Sequence, residues 1–259
     1  MDHKKLNGKI AIITGVARAQ GIGAAICKEL AKEGADIFFT YWLGYHEGTI
    51  LSARKEEVKQ LKAEIEACNV RCEELELDLS QPDAASALLN TVKERFGHPH
   101  ILVNNACYSR DDGFENLTAE SLDNHYFINV RATTLLSTQF AAQYEDGESG
   151  RIINLTSGQS LGPMIDEISY AVTKGAVETL TYTLAAAVAH KGITVNAVNP
   201  GPTDSGWMDA PLKQELLTRF PFGRVGQPKD AARLIAFLAS EEAEWVTGQI
   251  IHSEGGFQR

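Results

Sequence analysis

The sequence predicts a doubly wound α/β fold, a parallel seven-stranded sheet with helices on both faces, in one domain. Three observations predict it. Short runs apolar on both sides of the strand recur along the chain, as expected of strands covered on both faces. An amphipathic segment long enough for a helix lies between most successive runs. No internal repeat, low-complexity tract or Pro/Gly linker divides the 259 residues, so a single large core is expected.

In order, Lys9 to Thr14 reads as the first buried strand. Gly21 to Glu33 reads as a helix, ended by Gly34. Asp36 to Thr40 is the second strand, and Ser52 to Cys68 a charged amphipathic helix with only a partial capping pattern at Ser52 to Lys55. Arg71 to Leu77 is the third strand, and Pro82 to Phe96 a helix with Gly97 after it. His100 to Val103 is the fourth strand. Thr118, with Ser121 behind it, opens a long helix reaching Tyr144. Arg151 to Leu155 is a strand, Ser169 to His190 a helix and Ile193 to Val198 a strand. Pro228 to Ala239 is a helix with proline in its first turn. Gly248 to Ile251 is the seventh strand.

A net charge of −10 and a pI near 5.2 argue against nucleic acid or an anionic membrane as the main partner. No apolar run is long enough to span a bilayer, and Met1 to Gly8 lacks the apolar core of a signal peptide. A cytosolic location is the expectation. Cys27, Cys68, Cys72 and Cys107 follow no zinc or redox spacing. They read as small apolar side chains, and no metal site is expected.

The chemistry concentrates between Ser157 and Lys174. Tyr170 and Lys174, four residues apart in a helix, share one face. A nearby ammonium favours the phenolate, which would let a tyrosine serve as general acid–base near neutral pH. Ser157 follows a strand-like run. Its hydroxyl is placed to hold a substrate carbonyl at the crevice of an open α/β sheet. The alternative for all three is an ordinary surface helix and turn. Near the start of the chain, the first strand runs into Thr14-Gly15-Val-Ala-Arg18-Ala-Gln-Gly21-Ile22-Gly23 and then a helix. Glycines there let backbone approach a pyrophosphate at a helix N-terminus. Asp78, ending the third strand, can accept a hydrogen bond from an adenine amino group; its alternative is a helix-start acid near Pro82. Asn104-Asn105-Ala106 and Asn199-Pro200-Gly201-Pro202-Thr203-Asp204-Ser205 end two more strands, or are ordinary turns.

Taken together, these pieces resemble the short-chain dehydrogenase/reductase family, from Lys9 to Gly256. Tyr170 follows Ser157 by 13 residues and Ser157 follows Asn129 by 28, as in the family's main branch. The resemblance implies a Rossmann sheet and an NAD(P)-dependent oxidoreductase. Tyr170 would be the general acid in carbonyl reduction. Lys174 would hold the nicotinamide ribose and lower the Tyr170 pKa. Ser157 would orient the carbonyl, and Asn129 would anchor a water relaying protons to Lys174. Thr14, Gly15, Gly21, Ile22 and Gly23 would cradle the cofactor, with Asp78, Leu79, Asn105 and Ala106 around its adenosine. Pro200, Gly201, Thr203 and Ser205 would meet its carboxamide and pyrophosphate. The loop from Gly15 to Gly21 is two residues longer than the family's usual one, which leaves its phosphate contacts open.

The closing stretch from Phe222 to Gly256 resembles the 3-oxoacyl-acyl carrier protein reductase group, and with it fatty acid biosynthesis. Residues 205–221, with Trp207, Met208, Leu212, Leu216 and Phe220, resemble the family's substrate lid; alternatively these side chains pack on the body of the fold. A 3-oxoacyl thioester is the expected substrate. An acyl carrier protein is a candidate partner, for which Lys191, Lys213, Arg219 and Arg224 could form a basic rim. The alternatives are a dehydrogenase of a sugar, polyol or other secondary alcohol, and a cofactor-binding regulator without chemistry. A homotetramer is implied as well, with Ala176, Thr179, Thr183, Ala186 and Ala187 allowing close helix approach.

The second strand ends Phe38-Phe39-Thr40-Tyr41-Trp42 without the carboxylate that selects NAD(H). Asp36 stands at its other end, and Glu47 lies in the following loop. NADP(H) is therefore the expected cofactor and NAD(H) the alternative. Arg18 would attract a 2′-phosphate, with Thr40 offering a hydroxyl and Arg54 a second cation; alternatively Arg18 points into solvent.

Overall fold

The computed structural model describes residues 4–46, 53–145 and 147–259. All seven expected strands are present: β1 Ile10–Ile13, β2 Asp36–Tyr41, β3 Cys72–Glu76, β4 Ile101–Asn104, β5 Gly150–Leu155, β6 Ile193–Asn199 and β7 Ile250–His252. They form one sheet in the order β3-β2-β1-β4-β5-β6-β7, and every pairing is parallel.

Successive residues of a strand face opposite sides of a sheet, and both sides are buried here. Ile10, Ile12, Phe38, Leu102 and Ile152 face one core, which Phe96 closes edge-on against Phe38 at 5.6 Å. That core is covered by α3 Ala84–Arg95, α6 Thr133–Ala142 and α7 Ile168–Val188. Ala11, Ile13, Ile37, Phe39 and Val103 face the other core, covered by α1 Ile22–Lys32, α2 Lys55–Glu66 and α9 Pro228–Ala239. Two-sided burial is what made these strands read as continuous apolar runs.

Three differences from the expected elements stand out. The single helix expected from Thr118 to Tyr144 is α5 Ala119–His125, a π-helical stretch Tyr126–Ala132, and then α6. A π turn inserts one residue and re-aims the side chains around it; an apolar pattern averaged over many turns does not register it. Two short helices were not expected, α4 Gly113–Asn116 and α8 Ala210–Leu217. The second is capped by Asp209, whose carboxylate accepts the Leu212 amide at 2.9 Å. The charged helix starts at Lys55, not Ser52, and Ser52 lies outside the described residues. Among the described residues no helix is long and apolar enough to cross a membrane, and no group of three His, Cys, Asp or Glu could hold a metal ion.

Candidate active site

The chain leaves β1 toward β2 and later returns to place β4 on the opposite side of β1. Loops at the C-terminal ends of β1 and β4 therefore diverge and leave a crevice. It is a cleft of about 1270 Å³, walled by segments that follow the first six strands.

The β1 loop is built around close approach. Gly15 has a φ of +73°, and a Cβ there would lie 2.5 Å from the Ala106 Cα. A Cβ on Gly23 would lie 2.7 Å from the Asn105 amide nitrogen. Only glycine fits either place. Thr14 Oγ1 accepts the main-chain amides of Asn105 at 3.1 Å and Ala106 at 3.0 Å. Asn105 in turn donates its side-chain amide to the carbonyls of Thr14 at 2.8 Å and Gly15 at 3.1 Å. Thr40 is buried at the end of β2 and its hydroxyl accepts the Gly15 amide at 3.4 Å. No side chain caps the N-terminus of α1, so its first amides are available to an anion. Asp78 accepts the Ser80 amide and the Gln81 side-chain amide, both at 2.9 Å. Burial pushes its carboxyl up, but these hydrogen bonds outweigh it and hold the pKa below the usual range.

Across the cleft, Tyr170 stands in the first turn of α7, with Ser157 and Cys107 against its hydroxyl. Burial, with Cys107 and Glu167 adding to it, pushes the phenol well above its ordinary pKa, and the hydrogen bond with Ser157 offsets only part of this. Lys174, expected to lower this pKa, is not among the groups that shift it in this structure. The Lys174 ammonium is buried and donates to the Leu155 carbonyl at 2.7 Å, with its nitrogen 5.5 Å from the Tyr170 ring centroid. Asn129 is equally committed. Its Oδ1 accepts the Tyr108 amide at 2.7 Å, and its Nδ2 donates to the Tyr108 carbonyl at 2.9 Å and to Thr173 Oγ1 at 3.0 Å. Its amide thus ties the β4 loop to α7.

Ser157, Tyr170, Gly15, Arg18, Gly21, Ile22, Gly23, Thr40, Asp78, Leu79, Asn105, Ala106, Pro200, Gly201, Thr203 and Ser205 all line the cleft. Thr14, Asn129 and Lys174 stand behind its wall. Arg18 does not point into solvent. It crosses the cleft, and its Nη1 donates to the Ser205 carbonyl at 2.6 Å. Burial lowers its pKa, with Tyr45 and Glu57 partly compensating. Arg54 is exposed and off the wall, and Glu47 lies outside the described residues. In residues 205–221, Met208, Leu216 and Phe220 pack into a small cluster with Leu212, Val225 and Phe257. The packing alternative therefore describes these side chains. Trp207 alone of the five lines the cleft, and its indole donates to the Thr203 carbonyl at 2.8 Å.

Residues 15–258 match a family described as "Enoyl-(Acyl carrier protein) reductase". The chain is 49% identical to an uncharacterised oxidoreductase, YjdA, of Bacillus subtilis over 253 residues, 97% of each chain. The chain is a short-chain dehydrogenase/reductase. As a member it is an NAD(P)-dependent oxidoreductase. This short-chain dehydrogenase/reductase is also 34% identical to the 3-oxoacyl-[acyl-carrier-protein] reductase FabG of Staphylococcus aureus, over 96% of this chain and 97% of that one. Among solved structures it is similar to the angucycline C-6 ketoreductase LanV with bound NADP, with a TM-score of 0.86, 31% identity and 97% and 96% coverage.

Several residues that build this short-chain dehydrogenase/reductase site were missed from sequence. Asp112 reaches the N-terminus of α7, where its carboxylate accepts the Ile168 amide at 2.8 Å and the Ser169 amide at 3.3 Å. Glu167, the cap position itself, makes no capping bond. Thr173 completes the Asn129 contacts. Asn154, at the end of β5, joins Asn104, already singled out at the end of β4, with Ser137 and Thr181 in a buried chain of hydrogen bonds. Asparagine at the end of an apolar strand was the available signal for the last; distant capping leaves none.

Proposed function

We propose that the protein is an NADPH-dependent ketoreductase whose hydride acceptor is a ketone, a 3-oxoacyl thioester being the foremost candidate. The observation that carries this is the Tyr170 hydroxyl hydrogen-bonded with Ser157 in the cleft wall. A reduced nicotinamide held in the cleft would supply the hydride to the carbonyl carbon. Ser157 holds the carbonyl oxygen, and Tyr170 delivers the proton that converts the forming alkoxide to the alcohol. Lys174 and Asn129, from behind the wall, fix α7 and the β4 loop so that donor and carbonyl meet in register. The tight Gly15 and Gly23 backbone and the uncapped α1 suit a pyrophosphate.

NADPH is chosen because no carboxylate lies at the end of β2 and Arg18 lies in the cleft. The relative solved with NADP supports the same choice. One ionic hydrogen bond from Arg18 to a 2′-phosphate, at about 1.5–3 kcal/mol, corresponds to roughly ten- to hundredfold discrimination. The enoyl reductase description of the matching family raises reduction of a carbon–carbon double bond. Ser157 facing the Tyr170 hydroxyl favours a carbonyl oxygen instead. A secondary-alcohol dehydrogenase is the same site run in reverse, and a regulator without chemistry would not need the pair. A cytosolic, homotetrameric enzyme belongs to this proposal. A docked carrier protein is its weakest part, because the basic rim is largely spent. Lys213 is paired with Asp204 at 2.7 Å and Arg224 with Asp230 at 2.6 Å, while Lys191 donates to the Tyr144 carbonyl.

The test is kcat/KM with NADPH and NADH against 3-oxoacyl thioesters, diketones, sugars and secondary alcohols, in wild type and Arg18→Ala. A preference for NADPH and a ketone, with the cofactor preference reduced by Arg18→Ala, is expected. Turnover confined to alcohol oxidation with NAD overturns the reading.

A further inference from the structure

One cation of the expected rim is not spent. Arg219 lines the cleft from the segment just after α8. Its guanidinium lies over the Phe257 ring at 4.8 Å, and its Nε donates to the Gln258 carbonyl at 2.8 Å. The Gln258 amide donates to the Arg219 carbonyl at 2.9 Å, and Phe220 packs on Phe257 with centroids 4.9 Å apart. The side chain is thus held in one direction by a ring, a carbonyl and its own backbone. Its two terminal nitrogens make no ion pair with any carboxylate among the described residues.

The neighbouring cations differ. Arg259 lies over the same ring at 5.5 Å, but Glu254 grips it with two bonds of 2.8 Å. Arg110 is spent on Tyr45 and Ser109. Arg18 is bound to Ser205. The remaining charges lining this part of the cleft are Asp111, Asp166 and Glu167, from the β4 loop and the start of α7. Glu167 is half-buried and accepts from the Ser109 hydroxyl at 3.5 Å. The wall formed by the β4 loop and the start of α7 therefore carries three carboxylates beside Arg110, and across from it Arg219 directs a guanidinium with no carboxylate partner among the described residues.

Resting on the ketoreductase reading above, we propose that Arg219 is a specificity-determining residue that binds an oxyanion group carried by the ketone substrate. The group is a carboxylate or a phosphate, the two anions that a guanidinium fork matches. Its attraction to Arg219 and repulsion from Asp111, Asp166 and Glu167 together fix which end of the substrate faces Arg219, and so which face of the carbonyl receives the hydride. An acidic docking partner at the rim is not required.

The experiment uses the holoenzyme and three forms of one ketone: 3-oxobutanoate, its neutral ethyl ester, and its coenzyme A thioester. The variants are Arg219→Gln and, as a control away from the cleft, Arg224→Gln. Wild type should prefer an anionic form over the ester by roughly ten- to hundredfold in kcat/KM. Arg219→Gln should remove that preference through KM, leave the ester within about twofold, and leave the cofactor KM unchanged; Arg224→Gln should change none of these. Preference for the free acid identifies a carboxylate, and preference for the thioester a phosphate. Equal losses on all three forms, or no anion preference in wild type, overturn the proposal. Affinities of the acid and the ester for the NADPH-loaded Tyr170→Phe protein, with and without Arg219→Gln, decide it independently of turnover. If none of the three is reduced but Arg219→Gln still weakens the acid alone, the ketoreductase reading falls and the anion site stands. Identical affinities for acid and ester overturn the site.

Discussion

Tyr170 sits where burial and chemistry act together. A phenol held well above its ordinary pKa stays protonated across the neutral range, which is the form that ketone reduction consumes. In the reductive direction kcat should stay level from about pH 6 to 9 and fall only where the phenol ionises. In the oxidative direction the phenolate is the base, so the rate should rise over the same range. Stopped-flow or steady-state profiles in both directions check this; a reductive rate that falls on going from pH 6 to 8 contradicts it. Tyr170→Phe removes the proton donor and leaves the Gly15 loop alone. It should cost about 10²–10⁴-fold in kcat with cofactor affinity unchanged, measured by NADPH fluorescence titration. Retention of a tenth of wild-type kcat would displace Tyr170 from its role. Its position and spacing were legible from sequence. The direction of its pKa shift was not, because that depends on how deeply the hydroxyl is buried and on where the Lys174 ammonium turns. Local spacing encodes neither.

At the scale of the element, α7 carries Tyr170 and Lys174 and borrows its cap from Asp112, in the segment that follows β4. Burial pushes the Asp112 carboxyl up, yet bonds from Ser169, Ser121 and the Ile168 amide prevail and hold it below the usual range. A carboxylate with a depressed folded pKa adds stability above its unfolded pKa of about 3.9 and loses it as pH falls through the folded value. Asp112→Ala should cost about 1–2 kcal/mol, the usual worth of a cap, or roughly 2–8 °C in Tm for a chain of this size. Asp112→Asn, keeping one acceptor oxygen, should lose less. Thermal melts at pH 7 and pH 3.5 test both halves: the gap between Asp112→Ala and wild type should narrow at the lower pH. An unchanged Tm at pH 7 removes Asp112 from this role. Strands and principal helices could be read from period and punctuation, since Ile10, Ile12 and Phe38 have to be apolar wherever the sheet is covered. The π turn at Asn129 and the cap from Asp112 could not, because each is a contact between distant segments that leaves no mark on the local pattern.

For the whole molecule, the outward side of α7 is the surface to explain. Val172 and Tyr182 are 60% and 53% exposed, and Thr179, Thr183, Ala186 and Ala187 lie beside Tyr182 in the open. Small side chains around one aromatic ring allow another helix to approach closely. Light scattering should give four times the 28.2 kDa chain mass, and Ala186→Glu should lower it. A mass of 28.2 kDa for wild type at micromolar concentration would rule out the assembly.

The cleft wall gathers residues that are far apart in the chain: Gly15 abuts Ala106, and Arg18 reaches Ser205. No fragment of the chain contains the site, so a ligand for it is also a ligand for the intact sheet. The cofactor should therefore act as a thermodynamic clamp. In scanning calorimetry the protein should melt in one transition whose midpoint climbs with the logarithm of NADPH concentration, about 2.7 kcal/mol being added at a hundred times Kd. Two transitions, only one of them moved by NADPH, would mean that the two halves of the sheet open separately and that the cleft is lost before the fold.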